Sequence, residues 1–269
     1  MERIISRIIK EYDLKVEDVE KNKESTDGNV YIIKAQQKKY VLKVYDDLDH
    51  VKSMCKVHTF LASNSINIPV IIPNKKDEQY TIISNHYGIL YSFLPGKAID
   101  DIWNQSKDDL IKIIAREMRR FHDLTANNNS FLVPNVPFKV PTELERKSLL
   151  HFDLTKSNIF YYPKWEYKIG FIDFDDAKYG PSFVDVAITC ALLFITKANG
   201  LDKKRMNLFL KEYYHENILE MKKERKYLKE VALNWVNYIM NENEFDTSTN
   251  ESFEVKKSLI ESEINEKGE

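Results

Sequence analysis

His151-Phe-Asp-Leu-Thr-Lys-Ser-Asn158 and, a little downstream, Ile172-Asp-Phe-Asp-Asp-Ala177 decide how this chain is read. The first stretch has the form H-x-D-x-x-x-x-N. The second sets an Asp between apolar residues, twenty positions after Asp153. Phosphoryl transfer from ATP needs such parts: one carboxylate orients the acceptor hydroxyl and takes its proton, while an amide oxygen and a second carboxylate hold Mg²⁺ on the phosphates. Asp153 fits the base, Asn158 the first metal ligand and Asp173 the second. H-x-D alone is common by chance. The five-residue step to Asn158, the strand-like Ile159-Phe160 and the distance to Asp173 together make a turn with incidental acids the weaker reading.

Working outward, short apolar runs precede the motif. Val30–Ala35, Lys39–Tyr45, Tyr80–Ile83 and Gly88–Leu94 read as strands, with Gln36-Gln37-Lys38 at the tip of the first hairpin. Residues 2–12 and about 48–63 read as helices, the former amphipathic through Ile4, Ile5, Ile8 and Ile9. Pro95-Gly96 then punctuates the chain. From Ser106 to His122 the apolar residues recur at three and four, which predicts a long helix. Three prolines and an Asn cluster make 126–142 an irregular connection. Helices are expected again over 188–196, 203–216 and 222–241.

The segment from His151 to Ala187, with Gly180-Pro181 and Asp185-Val186-Ala187 as a third element, resembles the aminoglycoside phosphotransferase and choline kinase-like superfamily of small-molecule kinases. The likeness extends more weakly over residues 20–240. It implies an α+β, two-lobed protein kinase-like fold: an N-lobe (1–91) of antiparallel sheet plus helix, and a mainly helical C-lobe (92–241). Residues 242–269, acidic and Ser-rich, are expected as a frayed helix or a disordered tail. The resemblance also implies ATP, with GTP left open, and Mg²⁺ as cofactors, and a small hydroxylated molecule as acceptor. By family position Lys43 would neutralise the α- and β-phosphates, a turn at Gly28-Asn29 would cover them, backbone groups of Ser92-Phe93-Leu94 would hold the adenine, and Ile172 would form its apolar floor. Asp185 would brace the catalytic loop. His151 is expected as a brace too, and Lys156 as a solvated loop residue.

Three departures stand against the pattern. Phe152 replaces the Gly usual in H-G-D. No acidic residue occurs from Val51 to Lys75, so a helix Glu partner for Lys43 is missing; His58 or Thr59 stands in its place, with Asp49 or Asp173 as alternatives. The span from His122 to His151 is short, where relatives carry a helical substrate-binding insert.

Bulk composition excludes several classes. The 269 residues carry a net charge of −2 with 30% charged side chains, so nothing favours nucleic acid or an anionic membrane as partner. Two distant cysteines, Cys55 and Cys190, suggest a reducing compartment. The longest apolar run, about ten residues from Val186, falls short of the ~20 needed to span a bilayer, and a cytoplasmic location is expected. The sequence therefore predicts a small-molecule kinase acting on a hydroxyl, with aminoglycoside-, choline- and homoserine-like acceptors all in range. The alternative is a catalytically weak, nucleotide-binding regulatory protein of the same fold. A protein kinase is disfavoured by the lack of a D-F-G-type segment and A-P-E.

Overall fold

The computed structural model describes residues 2–22, 29–105, 108–166, 168–215, 217–242 and 247–264. The chain divides into two compact units, Met1–Pro95 and Gly96–Glu269. The division between them follows Pro95.

In unit 1 the strands β1 (Val16–Lys21), β2 (Val30–Ala35), β3 (Lys38–Tyr45), β4 (Thr81–Ile83) and β5 (His86–Ser92) form an antiparallel sheet in the order β1-β2-β3-β5-β4. Alternation places Ile33, Leu42 and Leu90 in one core, where Ile8 and Tyr12 from and beside helix α1 (Glu2–Glu11) join them. The β2–β3 hairpin turns through Gln36 and Gln37, at φ 51° and 61°. Two successive left-handed residues are what a tight type I′ hairpin requires. β1 is absent from the sequence-based reading. Its V-E-D-V-E-K pattern is mostly exposed, and it is held at the sheet edge by Lys34, which pairs with both Asp18 and Glu20 at 2.9 Å. Helix α2 (Leu48–Ser63) starts at Asp47, whose side chain accepts from the Asp49 amide, and buries Val51, Met54 and Leu61.

Unit 2 begins at Gly96, whose φ of +112° and a would-be Cβ only 2.6 Å from the Tyr161 carbonyl oxygen leave room for glycine alone. Short strands β6 (Lys97–Ala98), β8 (Ile159–Tyr161) and β9 (Ile169–Phe171) make one ribbon; β7 (Lys147–Leu150) pairs with β10 (Lys178–Pro181) in another. Between them runs helix α3 (Asp108–Leu124), burying Ile111, Ile114, Met118 and Phe121 as its periodicity predicts. Helix α4 (Ser182–Phe194) begins six residues before the expected Ile188, so Asp185 lies in its first turn. A small hairpin, β11 (Ile195–Thr196) and β12 (Gly200–Leu201), leads to α5 (Lys203–Tyr214). The single helix expected over 222–241 is two, α6 (Ile218–Arg225) and α7 (Leu228–Glu242).

Helix α8 (Thr247–Glu263) occupies the segment expected to fray or to be disordered. Ile260 on it is fully buried, and the Lys256 ammonium donates to the carbonyls of Ala191 at 2.6 Å and Ile195 at 2.7 Å, at the C-terminal end of α4. A cation at a helix C-terminus complements the negative end of the dipole. No described helix is long and apolar enough to cross a membrane. Cys55 and Cys190 are buried free thiols.

Candidate active site

The loop between β7 and β8 carries His151, Phe152, Asp153 and Asn158, and its shape is imposed from α4. Buried Asp185 accepts from the backbone amides of His151 at 2.9 Å and Phe152 at 2.8 Å, and from His122 Nε2 at 3.1 Å. A carboxylate is only an acceptor, so His122 carries its proton on Nε2 and its Nδ1 accepts from the Tyr213 hydroxyl at 2.7 Å. Burial holds the His122 pKa below its ordinary value, in line with a neutral ring. For Asp185 burial works to raise the pKa, but the His122 hydrogen bond and the amides outweigh it, and the carboxyl is held low. The assignment of Asp185 to bracing agrees with this geometry.

Phe152 sits at φ +70°, a conformation that a bulky side chain adopts only when its surroundings force it, at a cost of ~1–3 kcal/mol. The two-amide grip of Asp185 on one side is one such constraint. The other is packing: the Phe152 ring is 4% exposed, stacks on Phe138 (centroids 6.0 Å, 29°) and meets Tyr238 of α7 edge-on (6.4 Å).

Asn158 donates both hydrogens of its amide to one residue, to the Asp153 carbonyl and to Asp153 Oδ2, each at 2.9 Å. This fixes the orientation of the amide and leaves Oδ1 as its acceptor end. The Asn158 carbonyl accepts from the Ile172 amide at 3.0 Å, and the Ile172 carbonyl accepts from His151 Nε2 at 2.8 Å. The two motif segments are therefore stitched together, and Asp173, at φ +68°, follows directly. Burial raises the Asp153 pKa to about 7, with the charges of Asp176 and Asp173 adding to the effect. Such a group is poised to exchange a proton near neutrality.

Among the described residues no group of three or more His, Cys, Asp or Glu could hold a metal ion. One amide oxygen and one carboxylate remain, a donor set that suits Mg²⁺, which keeps most of its coordination for phosphate and water oxygens. In the two motif segments, Asn158 and Asp173 are residues of those two types.

Residues 132–216, which contain His151, Phe152, Asp153, Asn158, Asp173 and Asp185, match the model of the phosphotransferase enzyme family. The chain as a whole is similar to solved structures in its fold. It superposes on the microcompartment-associated aminopropanol kinase with a TM-score of 0.70 at 12% identity, covering 97% of this chain and 95% of that one. The amicoumacin kinase in complex with AMP-PNP, Ca²⁺ and its antibiotic gives 0.69 at 13% identity, over 98% and 94%. A spectinomycin phosphotransferase in complex with ADP and spectinomycin gives 0.65 at 15% identity, over 100% and 98%. No curated protein matches the sequence. The antiparallel sheet with its helix, and the mainly helical second unit, are those of the expected kinase-like fold.

The residues expected by family position to serve the nucleotide phosphates and the adenine, Ile172 apart, lie in unit 1. Lys43 lies on β3, paired with Val30 and Ile89. Asn29 accepts from the Val44 amide through its carbonyl at 3.0 Å, and Gly28 lies outside the described residues. Ser92 ends β5; its amide donates to the Val70 carbonyl at 2.8 Å, and the Phe93 amide to Lys39. Leu94 is buried. On α2, His58 is buried with Nδ1 2.8 Å from the Pro69 carbonyl and its ring against Tyr91, while Thr59 accepts from Gln79 at 2.6 Å. Asp49 pairs with Lys52 at the surface.

Lys156 departs from expectation. It is half-buried, its ammonium lies 4.8 Å above the Trp103 ring, and burial lowers its pKa. The contacts of Phe152 with Phe138 and Tyr238 had no local signature either, because the three residues are far apart in sequence.

Proposed function

We propose that this phosphotransferase moves the γ-phosphate of ATP to a hydroxyl of a small, amine-bearing molecule. Asp153 accepts the hydroxyl proton as the acceptor oxygen bonds to the γ-phosphorus and the bond from that phosphorus to the bridging oxygen breaks. ADP leaves with the electron pair, and the proton passes from Asp153 to solvent. Mg²⁺, when bound, would neutralise charge on the phosphates, with Asn158 and Asp173 as its protein ligands. Lys43 takes the α- and β-phosphates, the Gly28-Asn29 turn covers them, the carbonyl of Ser92 and the amide of Leu94 serve the adenine, and Ile172 supplies an apolar contact. Asp175 and Asp176 attract the amine.

The observation that carries the reading is the double hydrogen bond from Asn158 to Asp153, joined through Ile172 to Asp173. One interaction network sets the base and both proposed metal ligands. Phosphoryl transfer requires little covalent chemistry from a protein and much positioning.

A test is ADP release across a panel of hydroxylated amines and antibiotics, with two variants. Asp153→Ala should cut turnover on the order of 10²–10⁴-fold while leaving nucleotide affinity in place. Asp173→Ala should remove the Mg²⁺-dependent part of nucleotide binding. Unchanged turnover in Asp153→Ala would refute the base.

A further inference from the structure

The aromatic trio beside the base goes beyond the phosphotransfer reading, on which the inference rests. Phe138, Phe152 and Tyr238 touch pairwise, with centroids 6.0, 6.0 and 6.4 Å apart. They come from the 125–146 connection, the catalytic loop and α7. Phe152 precedes Asp153 directly, so the trio adjoins the proposed base. Phe138 and Tyr238 are only half-buried, so part of each ring faces solvent. The Lys178 ammonium lies 5.4 Å over the Phe152 ring and donates to the Asp176 carbonyl at 3.0 Å. Asn234 of α7 donates to the Lys139 carbonyl at 3.0 Å and pins the Phe138 segment to the helix.

Nothing in the backbone demands a large residue at 152. A φ of +70° favours glycine. A phenylalanine held there fills, with a ring locked by two others and capped by a lysine, space next to the base that a glycine would leave open.

We propose that this trio is the specificity-determining wall of the acceptor site, and that it restricts the enzyme to compact acceptors: acyclic or single-ring amino alcohols, not multi-ring aminocyclitols. Phe138 and Tyr238 offer their half-exposed rings to the apolar part of the acceptor, and Phe152 closes the space behind.

The full chain, with ADP and Mg²⁺ present, is titrated calorimetrically with a size-graded panel: 1-amino-2-propanol, choline, homoserine, a single-ring aminocyclitol, spectinomycin and kanamycin. Turnover with ATP is followed in parallel. Wild type should bind and phosphorylate at least one of the compact members and none of the multi-ring ones. Phe138→Ala, away from the strained loop, should raise KM for the compact acceptor about tenfold with kcat little changed, and admit a larger acceptor. Phe152→Gly, tolerated by the left-handed backbone, should broaden the panel further. A wild type that takes kanamycin or spectinomycin as well as the small amino alcohols overturns the proposal. So does one that binds no compact member, or a Phe138→Ala that lowers kcat and leaves the size preference unchanged. In the first case Asp153→Ala still abolishes turnover, which separates failure of the wall from failure of the phosphotransfer reading.

Discussion

Asp185 and His151 lie 34 positions apart, yet the carboxylate of the first accepts the backbone amide of the second at 2.9 Å, inside a fully buried pocket. The loop bearing the proposed base is thus shaped by the first turn of α4. Replacing Asp185 with Ala strands two backbone amides and one imidazole N–H in the interior. A loss of about 3–5 kcal/mol is expected, the usual cost of removing one partner from a buried charged network. Urea unfolding followed by circular dichroism measures it, and a loss under 1 kcal/mol would count against the bracing role.

Asp153 has its pKa raised to about 7, so activity in the free enzyme should climb with pH and level off above that value. The stability consequence has the opposite sign. A carboxyl whose folded pKa lies above its unfolded one helps the fold most below pH 4, and that help is lost as pH rises towards 7. Asp153→Asn should therefore be more stable than wild type at pH 8 by about 1–3 kcal/mol, several degrees in Tm for a domain this size. Differential scanning calorimetry at pH 5 and pH 8 reads both limits, and the gap between the two proteins should narrow at the lower pH.

Lys256 reverses that logic. Burial brings its pKa down to about 8, so between pH 8 and 10.5 the unfolded chain binds more protons at this site than the folded one. Stability relative to Lys256→Met should rise across that window. Paired denaturation curves at pH 7.5 and 9.5 test it. A difference that stays constant would show that the ammonium pays no burial penalty.

The β2–β3 turn holds two glutamines in left-handed backbone. Gln36→Asn with Gln37→Gly supplies the residues such a turn prefers and should raise stability by about 0.5–1 kcal/mol. Thermal denaturation of the double variant gives the answer, and a fall in Tm would mean that the glutamine side chains do more than tolerate the turn.

The loop bearing the proposed base stands out in the sequence because its pattern is local: the Asp153-to-Asn158 step and the position of Asp173 can be counted along the chain. Helix α2 was legible to the residue, since its apolar periodicity runs between an Asp cap and an Asn. β1 was not, because in this edge strand only Val16 and Val19 pack partly on the core, and the pairing of Lys34 with Asp18 and Glu20 appears only once the strands are side by side. α8 was obscured in the same way. Its acidic, Ser-rich surface hides one buried isoleucine and one half-buried lysine, whose partners lie 61 and 65 positions away. Lys156 looked like any loop lysine, because Trp103 is 53 positions upstream and pairs with it only in three dimensions.

One helix ties the end of the chain to its chemistry. α4 carries the loop-bracing carboxylate in its first turn and receives the ammonium of Lys256 on its last carbonyls. Clipping the carboxy-terminal residues, or fusing a bulky partner that pulls α8 away, would loosen the far end of the same rod that steadies Asp153. Truncated or tagged preparations of this protein should then lose turnover before they lose their fold.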